Sequence, residues 1–139
     1  MWFQREIKIK RKARGFYIIT DEILKNIPEI GEIKIGMMNL FIQHTSASIA
    51  INENVSSDVR RDFERYFNKI VPEDLMNYEH IHEGNDDLPA HIKSTMIGQS
   101  INIPITNRKL NLGIWQGIFL CEHRNFGGDR NIVVTIWGE

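Results

Sequence analysis

"SINIPITNRKLNLGIWQGIFLCEHRNFGGDRNIVVTIWG", residues 100–138, decides the fold class. It contains three strand candidates in succession, at 100–106, 110–124 and 130–138. Each is rich in Ile, Val, Phe, Leu or Trp and bounded by Gly, Asn or Asp. No helical stretch separates them. The Gly127 and Gly128 pair in "NFGGD" predicts a tight hairpin turn between the last two. Strands that follow one another without helical crossovers pair antiparallel, which excludes the βαβ alternation of a parallel sheet. The stretch therefore predicts an α+β fold.

Outward from it, residues 2–12 and 15–20 read as two more strands with Gly15 in the turn between them. The basic run "KIKRKAR" (8–14) overlaps the first. Ile7 and Ile9 alternate with Lys8 and Lys10, as in a half-buried edge strand whose lysines discourage further pairing. The competing reading is an anion- or nucleic-acid-binding patch. Residues 34–45 form a long strand candidate, apolar on both faces and so central. A short helix begins on the capping-type Thr20 or Asp21 and stops at Pro28.

The longest helix spans 56–71, with Val59, Phe63, Phe67 and Ile70 as its apolar stripe and Ser56 or Ser57 as its cap. That stripe marks it as scaffold. A second helix, 88–97, has Pro89 in its first turn and Gly98 just past its end. Trp115, Phe119 and Trp137 sit in apolar runs and read as core. No linker, repeat or low-complexity tract divides the chain. The expectation is a compact single domain, 1–139, with mostly antiparallel sheet and two or three helices.

With 139 residues, 42% hydrophobic content and a net charge of −1, the chain supports a core without disulfides and offers no global field for nucleic acid or membrane. The lone Cys121 excludes an internal disulfide and reads as a buried thiol. The sequence shows neither a signal-peptide pattern nor an apolar run near membrane length, so a cytoplasmic location is expected.

The chemistry lies in five histidines and their neighbours. His44 closes a strand and runs into small residues, where Thr45, Ser46 and Ser48 hydroxyls suit phosphate oxygens or simply satisfy the loop. "YEHIHEGNDDLPAH" (78–91) holds His80, His82 and His91 among the acids Glu79, Glu83, Asp86 and Asp87. If extended, it turns His80 and His82 to one face, a natural pair of metal ligands. His91 is expected in the first turn of the second helix. The acids Asp86 and Asp87 suit the role of ring N–H acceptors behind a ligating histidine. In "CEHR", Glu122, His123 and Arg124 end a buried strand together. They read as an acid–base group with an anion-holding arginine, or as a structural ion pair. A Ser–His–Asp triad lacks the GxSxG turn that would support it.

"QHTSASIAINEN", "HIHEGNDDLPAHIKSTMIG", "LGIWQGIFLCEHR" and "VVTIWGE" together resemble the YjbQ-like family, also labelled secondary thiamine-phosphate synthase, over nearly the whole chain. The resemblance implies a homotrimer and an activity joining a pyrimidine pyrophosphate to a thiazole phosphate. It implies His44, His80 and His91, rather than His82, as the ligands of a divalent metal. Zinc suits three imidazoles with one open position, with magnesium or manganese as alternatives. Asn54 and Glu122 also fall within the family's motifs, and with the charge-balancing Arg124 they are the expected catalytic residues. Thr45, Ser46, Ser48 and His123 would then bind a small phosphorylated ligand. The rival expectation is a non-catalytic trimer that binds metal or a phosphoryl ligand.

Overall fold

The computed structural model describes residues 1–139. It is a single α+β unit of eight strands, three α-helices and one 3-10 turn. The strands are β1 (Trp2–Ile9), β2 (Gly15–Ile18), β3 (Ile35–Ile42), β4 (Ala47–Glu53), β5 (Ser100–Thr106), β6 (Lys109–Leu110), β7 (Gln116–Glu122) and β8 (Arg130–Gly138). The helices are α1 (Thr20–Lys25), α2 (Ser57–Ile70) and α3 (Asp87–Ile97), and the 3-10 turn is Pro28–Glu32. The strands form two sheets, β1-β8-β3-β5-β6 and β2-β7-β4, in which every pairing is antiparallel.

Three layers follow from the side-chain alternation of the strands. One face of the five-stranded sheet, with Ile132, Val134, Ile136, Met38, Leu40 and Ile42, meets Ile118, Leu120 and Ile49 of the smaller sheet in the main core. The opposite face of the smaller sheet carries Phe119 and Cys121 toward α2 and α3. Both faces of β7 are thereby covered, which explains its unbroken apolar run. As the alternation predicted, β1 is an edge strand with Ile7 and Ile9 inside.

Several expectations are corrected. "NFGGD" is not a hairpin: β7 pairs with β2 and β4, whereas β8 pairs with β1 and β3, so this loop crosses from one sheet to the other. A glycine pair specifies a sharp reversal but not which neighbour each strand finds. The strand at 110–124 is really β7 alone, because the chain turns at 113–116 and leaves Trp115 61% exposed rather than in the core. Trp137 is half-buried and stacks on Trp2 at the sheet edge, with ring centroids 5.2 Å apart. In α2, Phe63 and Phe67 are half-buried and pack around Phe16, but Ile70 is largely exposed and no residue is fully buried. Ser56 makes no side-chain cap; the Glu53 carboxylate instead accepts the N–H groups of Val55 and Ser56. Thr20 likewise caps nothing, and its hydroxyl accepts the Ile118 N–H, pinning α1 to β7.

Candidate functional site

The end of β3, the start of β4, the end of β7, the start of β8 and the N-terminus of α3 meet at one end of the sandwich. Most of the residues singled out from the sequence lie there, sorted by burial into two clusters. Asn54 does not. It follows β4, roughly 23 Å from the strand's other end at ~3.3 Å per residue. There it donates to the carbonyls of Ile114 and Gln116.

The open cluster is built on Asp87, the first residue of α3. His91 lies four positions on, so both side chains share one helix face. His91 is thus in the second turn, not the first. His80 reaches the same carboxylate from the preceding loop. Asp87 Oδ2 stands 2.7 Å from His80 Nε2 and 3.2 Å from His91 Nε2. One ligand-type atom from each of the three lies within 4.8 Å of the others. The Asp87 side chain is 2% exposed, whereas His80 is 48% and His91 33% exposed, so the centre is anchored inside and open outside.

The His91 tautomer is fixed from behind. Its Nδ1 lies 2.9 Å from the Thr45 carbonyl, which can only accept, so Nδ1 carries a proton. In the neutral ring, Nε2 then presents a lone pair to a carboxylate oxygen. Two lone pairs at that distance repel, and the contact calls for a proton or a cation between them.

Arg124 holds the carboxylates in place. Its Nε donates to Asp86 Oδ2 (3.0 Å), Nη1 to Asp87 Oδ1 and Nη2 to the Glu83 carbonyl (2.9 Å). Burial pushes the Asp87 carboxyl up. The His80 hydrogen bond and the charges of His91 and Arg124 outweigh that and leave it below the usual range. Burial also opposes ionisation of Asp86, but the Asn125 N–H and Arg124 again win. Both acids are therefore carboxylates at neutral pH.

The closed cluster joins the two sheets. Glu122, fully buried at the end of β7, forms a two-pronged ion pair with Arg130 of β8 (Nε–Oε1 2.7 Å, Nη2–Oε2 2.6 Å). Arg130 also donates to the Ser46 hydroxyl and carbonyl. His123 is buried on the helix side, its Nε2 2.8 Å from the Ser48 hydroxyl. Burial, then the charges of Lys93, Arg130 and Arg14, push His123 down to about 3. Burial lifts the Cys121 thiol to about 12, as expected of a packing residue. Of the four residues expected to bind ligand, Ser46, Ser48 and His123 point inward and only Thr45 faces solvent.

His44 joins neither group. Its Nε2 accepts the Asn131 N–H (2.8 Å), so the proton sits on Nδ1 and neither nitrogen offers a lone pair. Burial and Arg130 favour this neutral state against the opposing pull of Glu122. His44 shares with His91 and Thr45 a polar cleft of about 520 Å³ between the end of β3 and α3. His82 is exposed and makes no hydrogen bond. The candidate ligand missed is Asp87. Its signal was present in "DLPAH", an acid four residues before a histidine at a helix start.

A protein-family profile described as "UPF0047 protein YjbQ-like" matches residues 5–139. The UPF0047 protein YjbQ of Escherichia coli O157:H7 is 48% identical over 139 residues, 100% of both chains. A UPF0047 protein of Synechocystis is 47% identical over 136 residues, covering 98% of this chain and 92% of that one. A YjbQ/UPF0047-family structure from Clostridium acetobutylicum superposes with TM-score 0.84 at 38% identity, covering 96% of this chain and 99% of that one. A structure from Sulfolobus solfataricus, described as YbjQ-like and of unknown function, gives TM-score 0.88 at 26% identity over 100% and 99% of the two chains.

Proposed function

The chain belongs to the YjbQ-like UPF0047 family, and from that premise we propose that it is a metal-dependent enzyme acting on a small phosphorylated substrate. The observation carrying this reading is the convergence of His80 Nε2, Asp87 Oδ2 and His91 Nε2, with a His91–Asp87 contact that calls for a proton or a cation between its atoms. Two imidazoles and one carboxylate, open on one side, suit zinc better than magnesium or manganese, which favour more oxygen ligands. His80, Asp87 and His91 would hold the ion, which would supply positive charge against the oxygens of a leaving phosphate or pyrophosphate.

The protein groups have separate tasks. Asp87 and His91 form the rigid part of the site, held by Arg124 and the Thr45 carbonyl. The Thr45 hydroxyl is free to meet the substrate in the cleft beside His91. Arg124 acts as a positioning residue, because each of its three nitrogens already donates to Asp86, Asp87 or Glu83. Thiamine-phosphate formation is the reaction to assay first. The thiazole nitrogen forms a bond to the pyrimidine methylene as its C–O bond breaks, and pyrophosphate departs with the electron pair. No strong nucleophile is needed from the protein, only charge stabilisation and positioning.

A homotrimer in the cytoplasm belongs to the same proposal. The support for the trimer is the uncovered face of the five-stranded sheet, where Trp2, Trp137, Met37 and Phe41 lie among Gln4, Asn39 and Asn102, with Glu6 and Lys8 toward the end of β1. The second reading, a trimer that binds metal or a phosphoryl ligand without turnover, is separated by single-turnover assay with both thiamine precursors. Elemental analysis of untagged protein tests the site itself. Asp87→Asn and His91→Ala should lose metal, and His44→Ala should keep it. Metal lost equally from His44→Ala restores the three-histidine site, and metal unchanged in Asp87→Asn removes the proposal.

A further inference from the structure

The basic run at 8–14 plays no part in the site above. β1 ends at Ile9, so Arg11 and Lys12 belong to a loop and are not the outward lysines of an edge strand. They line a cleft of about 540 Å³ with Asn125, Phe126, Gly127 and Gly128 across from them. This volume lies in the range of small-molecule sites. No carboxylate lines it. The neighbouring acid, Asp129, gives one oxygen to the Arg11 backbone N–H (2.8 Å).

Four features of this cleft point the same way. The Arg11 guanidinium makes no hydrogen bond or ion pair within the chain, unlike Arg14, which is paired with Glu64 and Glu73. Lys12 Nζ stands 5.2 Å from the centre of the Tyr17 ring, a contact that steadies the ammonium but leaves its N–H donors available. Phe126 is 95% exposed. The N–H groups of Phe126 and Gly128 make no hydrogen bond within the chain, that of Gly127 closes the turn over Asn125 and Phe126, and Gly128 turns with φ +74°. Free N–H groups at a turn add partial positive charge that favours an anion. An exposed phenylalanine or a surface lysine alone is ordinary. Two uncompensated cations, free turn amides and a bare aromatic ring around one cleft are a combination with a defined complement.

We propose that this cleft binds a phosphorylated aromatic small molecule, a mononucleotide being the type case. The phosphate lies on Arg11, Lys12 and the Gly127 turn, and the ring stacks on Phe126. A single aromatic side chain offers a platform for one base, and a net charge of −1 gives no stripe for a strand to follow, so a small molecule fits better than nucleic acid. The assignment does not rest on the metal site.

Titration calorimetry of the full chain tests it, at low salt and with a chelator present so that no ion at His80, Asp87 and His91 contributes. Adenosine 5′-monophosphate should bind roughly tenfold or more tighter than either inorganic phosphate or adenosine, and weaken as salt is raised. Phe126→Ala should weaken the nucleotide by about five- to tenfold and leave phosphate unchanged. Arg11→Ala with Lys12→Ala should weaken both. Nucleotide binding no tighter than phosphate, or unaltered in these variants, overturns the assignment. Tight binding of a single-stranded oligonucleotide without mononucleotide binding overturns it as well.

Discussion

The His80–Asp87–His91 cluster and the Glu122–Arg130–His123 cluster both combine a carboxylate with histidine at the same end of the sandwich, yet they are opposites. In the closed cluster, the Glu122 and Arg130 charges meet in a bidentate pair, His123 meets a hydroxyl, and all three residues are buried. In the open cluster, a buried carboxylate faces two half-exposed imidazoles, and its contact with one of these calls for a proton or a cation between the two atoms. Residue type does not set the two clusters apart. What does so is whether the hydrogen-bonding capacity is already spent.

The largest expected effect lies in the closed cluster. Glu122→Gln leaves the Arg130 guanidinium buried without its counter-charge and should cost about 3–5 kcal/mol of stability in urea unfolding. A loss below about 1 kcal/mol would mean that this cluster is as adaptable as the open one. In the open cluster, Asp87→Asn should lower metal affinity by roughly 100-fold at constant fold, since a ligand is replaced and the Arg124 contact can be kept. Unfolding of this variant would show the centre to be structural after all.

The two clusters should also separate on acidification. His123 is held near 3 in the folded state against about 6.5 when unfolded, so the unfolded chain takes up its proton first. Its contribution is complete above about pH 6.5 and is lost as pH falls toward 3, at about 1.4 kcal/mol per pH unit. Asp86 and Asp87, whose carboxyls are depressed, withdraw their contribution only below about pH 4. Denaturation midpoints between pH 7 and 4 should therefore fall in wild type and fall less in His123→Gln. The smallest effect is expected at His82, where Ala substitution should change stability by less than about 0.5 kcal/mol and leave metal content intact.

Local patterns told much of this in advance. Alternation placed Ile7 and Ile9 inside, and Pro89 with Gly98 bracketed α3 within a residue or two. The resemblance brought out His80 and His91. What escaped was direction and partnership. Ser46 and Ser48 carry the same hydroxyl chemistry whether they face a ligand or a buried partner, and only the tertiary structure sets Ser46 on Arg130 and Ser48 on His123. The ion pair between Glu122 and Arg130 depends on two strands from different sheets, which a hairpin reading of "NFGGD" conceals. Asn54 sits within one of the quoted blocks, yet an extended strand carries it to the far end of the domain. Asp87 looked like one acid among several until its i, i+4 relation to His91 became a shared helix face.

The absence of any fully buried residue in α2 bears on how the molecule breathes. Its contacts with the body are the half-buried Phe63 and Phe67 on Phe16 and Phe119, plus polar links such as the Lys93 to Asn68 hydrogen bond (2.7 Å). The strands, by contrast, are locked into ladders above a continuous core. Free energies of local opening follow buried contacts, so the amides of α2 should exchange with solvent through a sub-global opening that leaves both sheets intact. The domain is thus a rigid sandwich with one detachable shutter, and the open cluster at the start of α3 is anchored to the sandwich rather than to the shutter.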